Sequence, residues 1–248
     1  MKHNMFIGSG SGKIGNIVEY VRGGKQMSRV YQPIVANPNT PRQQLSRAKM
    51  RRCSVISRGL TRVLNFSLGA YADSRVSPRN IFSKMSIPVS AGVFTGVDAA
   101  HLDVDWEEIQ LTKGILGDTP ISFGETSFST PKRVVFAIEG ISQDWNVNHT
   151  PEGDERQVVL AVVVYNTSKD MAYMEFQVLY NKATHQWDTS LTEVKIGVPG
   201  TWQGDYVECY AFCKQIPDAL NGFPMDNLPY RIPGECTKTA YCGTGTIA

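Results

Sequence analysis

The sequence predicts a mainly β protein with an N-terminal helical region: a β-hairpin and a long basic helix, then an antiparallel immunoglobulin- or fibronectin-like β-sandwich. Three observations predict it. Residues 13–35 hold two runs rich in β-branched and aromatic residues around Gly23-Gly24, a hairpin signal because both glycines tolerate positive φ. From residue 41 the polar and apolar residues recur at helical spacing. Beyond about residue 98 the period falls to two, with six or seven strand-length segments between polar turns, the pattern of a two-sheet sandwich.

The elements follow in order. Thr40 is a good N-cap, Pro41 suits the first helical position and Gln43 completes a capping box. The helix is expected to run to about residue 65. A second helix is expected around Arg79–Met85, after Pro78. In "HLDVDWEEIQ", Leu102, Val104 and Trp106 alternate with Asp103, Asp105 and Glu107, so the acids read as the solvated side of a strand. "KRVVFAIEG" is a strand, and "RQVVLAVVVYN" is a central strand buried on both faces. "MAYMEFQVLY" puts Ala172, Met174, Phe176, Val178 and Tyr180 on one face. "HQWDTSLTEVKIGVP", "DYVECYAFCK" and "TKTAYCGTGTIA" complete the set. Residues 215–235, with four prolines, form a long connection of the kind that binds partners or packs as a surface flap. The expected division is a basic region at 1–95 and an acidic sandwich domain at 96–248.

Charge is unevenly spread. The formal net charge is only +2, yet residues 1–90 hold 15 Lys and Arg against Glu19 and Asp73, leaving 10 bases and 21 acids for the rest. Such asymmetry implies different partners for the two halves, copies of the chain meeting through opposite charge, or halves that neutralise each other within one molecule. It is concentrated in "PRQQLSRAKMRRCSVISRGLTRVLNFS", which has six arginines, one lysine and no acid. At 100° per residue Arg47, Arg51, Arg58 and Arg62 fall within an arc of about 60°. Leu45, Ile56, Leu60 and Val63 lie roughly opposite. Like charges in a stripe repel, so an anionic surface is expected to face these four residues. That surface is acidic protein, from this chain or another copy, or nucleic acid, whose phosphates guanidinium groups bind bidentately; the plainer alternative is solvent alone.

Motifs for chemistry are weak. "IGSGSGKIGN" lacks the glycine and Ser/Thr of a phosphate loop, since Ile7 and Ile14 stand there. Gly10, Gly12 and Gly15 match a dinucleotide fingerprint formally but open a hairpin and not a helix. His3, His101, His149 and His185 are scattered. Cys209 and Cys213 are four apart on a strand, about 13 Å, too far for a disulfide or a shared metal. They read as core residues. Cys236 and Cys242 could approach across a turn. No catalytic residue, metal ligand or cofactor is expected. The start has no apolar run of secretory type, and no stretch approaches the roughly 18 apolar residues of a membrane span. The expected location is therefore the cytoplasm, or a larger particle assembled there.

Several segments carry a resemblance: "GKIGNIVEYVRGGKQMSRVYQP", "NPNTPRQQLSRAKM", "LTKG", "WQGDYVECYAF" and "TAYCGTGTI". Together they resemble a family of roughly 200-residue proteins of gut bacteria and their phages, known only as a domain of unknown function. The resemblance implies an N-terminal hairpin and helix before an immunoglobulin-like domain, and transfers no catalytic residue. The chain departs from that pattern by a longer sandwich and the 215–235 insertion. "NPNTPRQQLSRA" also resembles segments of phage structural proteins. The expected function is a non-enzymatic structural or assembly protein, of phage-virion type, whose partners are other copies of itself and other assembly proteins. The alternatives are a nucleic-acid-binding protein acting through the basic helix and a ligand-binding module using the 215–235 loop.

Overall fold

In the computed structural model, residues 11–22, 24–33, 39–142, 157–181, 184–216 and 234–248 are described. Among the described residues 40% are strand and 23% helix, so the protein is mainly β, with an N-terminal hairpin, then helices, then a curled sheet. Strands β1 (Gly12–Ile14), β2 (Ile17–Arg22) and β3 (Lys25–Val30) form an antiparallel sheet. Arg22 pairs with Lys25, which closes the hairpin where the sequence signals a turn, with Gly24 at φ +76°.

Helix α1 (Pro41–Gly59) starts as expected, with the Gln43 amide donating to Thr40 Oγ1 at 3.4 Å. The reciprocal half of the capping box is not formed: among the described residues Gln43 Oε1 has no hydrogen-bond partner. Nor does the helix continue unbroken to residue 65. It breaks at Leu60 (φ −88°, ψ 10°), and α2 runs Thr61–Leu68. Thr61 Oγ1 donates to the Arg58 carbonyl at 2.7 Å, a side-chain bond of the kind that competes with helical continuation. Helix α3 (Pro78–Ser86) falls where the sequence places it, capped by Ser77. Short strands β4 (Phe94–Thr95) and β5 (Asp103–Val104) pair beside the helices.

The remaining strands are β6 (Ile121–Phe123), β7 (Arg133–Ile141), β8 (Gln157–Asn166), β9 (Met171–Asn181), β10 (Gln186–Trp187), β11 (Glu193–Gly197), β12 (Tyr206–Ile216) and β13 (Ala240–Thr246). They form a five-stranded sheet, β10-β9-β8-β12-β13, and a three-stranded one, β11-β7-β6. Every residue of β8 is buried, because the large sheet is covered on both sides. Val159, Ala161, Val163 and Tyr165 join Ile56, Leu60, Val63 and Leu64 of the helices in one core cluster. Val158, Leu160, Val162 and Val164 join Val134, Phe136, Val194 and Ile196 of the smaller sheet in another. Alternation along one strand thus serves two layers. Burial of each such side chain contributes about 1.5–3 kcal/mol.

Two expectations about faces are corrected. Leu45 is only half-buried and lies outside the cluster that takes Ile56, Leu60 and Val63. Tyr180 does not share a face with Ala172, Met174, Phe176 and Val178. The register steps from Val158↔Tyr180 to Val159↔Val178, so Leu179 is the extra residue of a bulge and Tyr180 turns into the opposite core. Cys209 and Cys213 are buried core residues, as read. Cys236 sits in the helix-side cluster and Cys242 packs against the other, and both are free thiols.

Lys214 is fully buried, its Nζ donating to the Phe66 carbonyl at 2.5 Å and tying β12 to the end of α2. Residues 217–233 of the proline-rich connection lie outside the described residues. Its ends meet, the Gln215 amide donating to the Glu235 carbonyl at 3.0 Å. Among the described residues no helix is long and apolar enough to cross a membrane.

Candidate interaction surface

Arg47, Arg51, Arg58 and Arg62 are all exposed, the first three on α1 and Arg62 beyond the break, on α2. The helix buries Cys53, Ile56 and Ser57 on its other side. Arg47 Nη1 donates to Asn39 Oδ1 at 3.4 Å, beside the helix start. Among the described residues neither Arg51 nor Arg58 forms an ion pair. The stripe is therefore presented outward.

Arg52, which the stripe leaves out, does meet an acid. Its Nη1 lies 3.1 Å from Asp170 Oδ1, and the Tyr165 hydroxyl donates to the same oxygen at 2.7 Å. The guanidinium stands 5.8 Å from the Trp106 ring, which packs 5.4 Å from Tyr165. Burial, then the hydrogen bond to Asp170, holds the Tyr165 hydroxyl well above the usual tyrosine range. Asp170 takes the turn between β8 and β9 at φ +51°, a region that Asp tolerates better than most residues. Gly59 makes the approach possible: a Cβ there would stand 2.2 Å from the Asp170 carbonyl oxygen. A glycine inside a run of good helix formers was the one local signal of this contact. The partner itself, 118 residues downstream, left none.

Beside α1 runs a strip of opposite sign. Residues 98–108 contain Asp98, Asp103, Asp105, Glu107 and Glu108 and no Lys or Arg. Asp98 is used locally, accepting from the Ala100 and His101 amides and from the His101 ring at 2.9 Å. Those bonds hold its carboxyl below the usual range. Asp105 accepts from the Glu107 amide at 3.3 Å. Asp103, Glu107 and Glu108 are exposed. Leu102, Val104 and Trp106 pack against the core, which agrees with the alternation in the sequence. Between helix and strip lies a cleft of about 590 Å³, lined among others by Arg51, Arg52, Val55, Asp103 and Trp106. Its lining thus combines charged side chains with one aromatic ring.

The β1–β3 sheet is the second outward surface. The register puts Ile14, Ile17, Val21 and Val30 on one face with Glu19, Gln26 and Ser28. Their exposures run from 42% to 72%. The other face carries Lys13, Arg22, Lys25 and Arg29 around Val18, Tyr20 and Met27, with Lys13 Nζ 3.5 Å from the Tyr31 ring centroid.

Other chemistry finds little to build on. Among the described residues no group of three His, Cys, Asp or Glu is placed to hold a metal ion. Burial pushes the thiols of Cys236 and Cys242 up to about 12, far from the thiolate that a nucleophile needs. Compared with protein-family models, curated proteins and solved structures, the chain matches none.

Proposed function

We propose that this chain is a non-enzymatic structural subunit of a multi-subunit assembly, held by contacts between its basic helix face and acidic protein surfaces. The observation that carries the reading is the state of Arg51 and Arg58: exposed, with no ion pair among the described residues. A row of guanidinium groups on a rigid, core-anchored helix is poorly explained by solvent alone, since like charges repel. The exposed β-branched face of the β1–β3 sheet supports the same reading, because apolar patches on a surface mark contacts with other molecules. The setting we propose is a phage-type virion, on the resemblance of the N-terminal motifs. We also read the two packed β-sheets as an immunoglobulin-like sandwich, supported by their antiparallel pairing and the core they share.

Native mass spectrometry of the purified chain tests this. The expected result is species at integer multiples of 27.4 kDa. Monomer alone at every concentration contradicts it. A second reading, nucleic-acid binding, is favoured by the four cations on one face of the β1–β3 sheet together with the helix stripe. If about four phosphates are neutralised, log K on duplex DNA falls against log salt with a slope near −3.6. Binding that survives charge reversal at Arg51 and Arg58 would exclude the helix from that role.

A further inference from the structure

The cleft beside α1 separates two exposed surfaces of opposite sign. Arg51 lines it on the helix side and Asp103 on the strip side; the exposed Arg58 lies seven residues further along α1 and the exposed Glu107 four residues further along the strip. Among the described residues none of the four forms an ion pair, although Arg51 and Asp103 line the same cleft. The helix is held by Arg52–Asp170 and by its buried face, so it does not roll to bring the two sets together. Between them, Val55, Leu102 and Trp106 give the cleft an apolar floor.

We propose that this patch binds the same patch of a second copy across a two-fold axis. Arg51 and Arg58 of each copy face Asp103 and Glu107 of the other, over the Trp106 clefts. The proposal rests on the assembly reading and names its partner. A patch that is half basic and half acidic is self-complementary under a two-fold rotation, which superposes each half on its opposite. Nucleic acid fits it poorly, because a phosphate backbone crossing the stripe meets Asp103 and Glu107. A purely acidic partner meets the same two carboxylates. The charged pairs fix register and partner choice, and the aromatic floor supplies the desolvated centre that an interface needs.

The test uses two full-length variants, R51E/R58E and D103K/E107K, whose altered side chains are exposed. Circular dichroism and the thermal midpoint check that each folds like the native chain. Sedimentation velocity is expected to show a native dimer, and a dimer constant weakened at least tenfold in either variant. A milder variant, R51Q/R58Q, is expected to fall between. An equimolar mixture of the two reversed variants is expected to recover the dimer, since one contact is then native and the other is reversed on both sides. The proposal is overturned if either folded variant dimerises like the native chain, or if the folded mixture stays monomeric. If the native chain assembles and neither variant disturbs it, this contact is wrong and the assembly reading stands. If the native chain is monomeric throughout, both fall.

Discussion

Strand β8 and the β1–β3 sheet are built from the same kinds of residue and end in opposite surroundings. β8 reads "QVVLAVVVYN" and is buried from end to end. β2 reads "IVEYVR", pairs as regularly, and leaves Ile17 and Val21 each 47% exposed. Strand propensity explains both elements. Only the neighbours explain the burial, since β8 lies between two layers and, among the described residues, neither core cluster includes a residue of β2. The comparison teaches that β-branched residues specify pairing locally, while a covering layer has to come from elsewhere. For β8 it comes from this chain. For β1–β3 and for the outer face of α1, on our reading, it comes from another molecule.

The comparison breaks most decisively at β8 itself. Leu160→Ala should cost about 2–5 kcal/mol, the range for a cavity in a packed core, whereas Val21→Ala should change monomer stability by less than about 0.5 kcal/mol. Urea unfolding of both variants checks this; equal costs would mean that the β1–β3 sheet belongs to the core. Next in size is Gly59→Ala. Within a helix this exchange ordinarily stabilises by about 0.5–1 kcal/mol, but the Asp170 carbonyl occupies the space of the new methyl. A loss of about 1–3 kcal/mol is expected in its place. Thermal unfolding decides, and a stabilised variant would show that the helix does not press on the β8–β9 turn as described.

Asp170→Asn should have a smaller effect, a loss of about 1 kcal/mol. The Arg52 and Asp170 side chains are 32% and 30% exposed, so solvent screens much of their attraction. The smallest effect concerns Glu208, which accepts from the Tyr241 hydroxyl at 2.8 Å and whose carboxyl is raised above its ordinary value by burial. A raised acid binds its proton more tightly when folded. Stability is therefore highest below the ordinary glutamate value, falls as pH climbs to the raised one, and stays low above it. Glu208→Gln should remove that fall and raise stability at neutral pH by less than about 1 kcal/mol. Denaturation at a series of pH values measures it, and an unchanged pH profile would contradict the assignment.

Much of the local structure was legible. The Gly23-Gly24 hairpin, the Thr40-Pro41 helix start, the α3 segment and the double-sided burial of β8 follow from turn chemistry, capping and apolar patterning. What was not legible depends on distant partners. The close approach of Gly59 answers to a turn at Asp170. The bulge that turns Tyr180 over is a mismatch between β8 and β9, invisible in either strand alone. The stripe of Arg47, Arg51, Arg58 and Arg62 was correctly placed on the surface by helical angle. Helical angle leaves out its neighbour Arg52, because it gives a direction and not the carboxylate that stands there.

The central claim is that the outer face of α1 is covered by acidic protein. Sedimentation equilibrium of the native chain over a range of salt tests it most directly. The account predicts a mass above 27.4 kDa at low ionic strength, declining toward that value as salt screens the charged pairs. A mass of 27.4 kDa at every salt and protein concentration would contradict it.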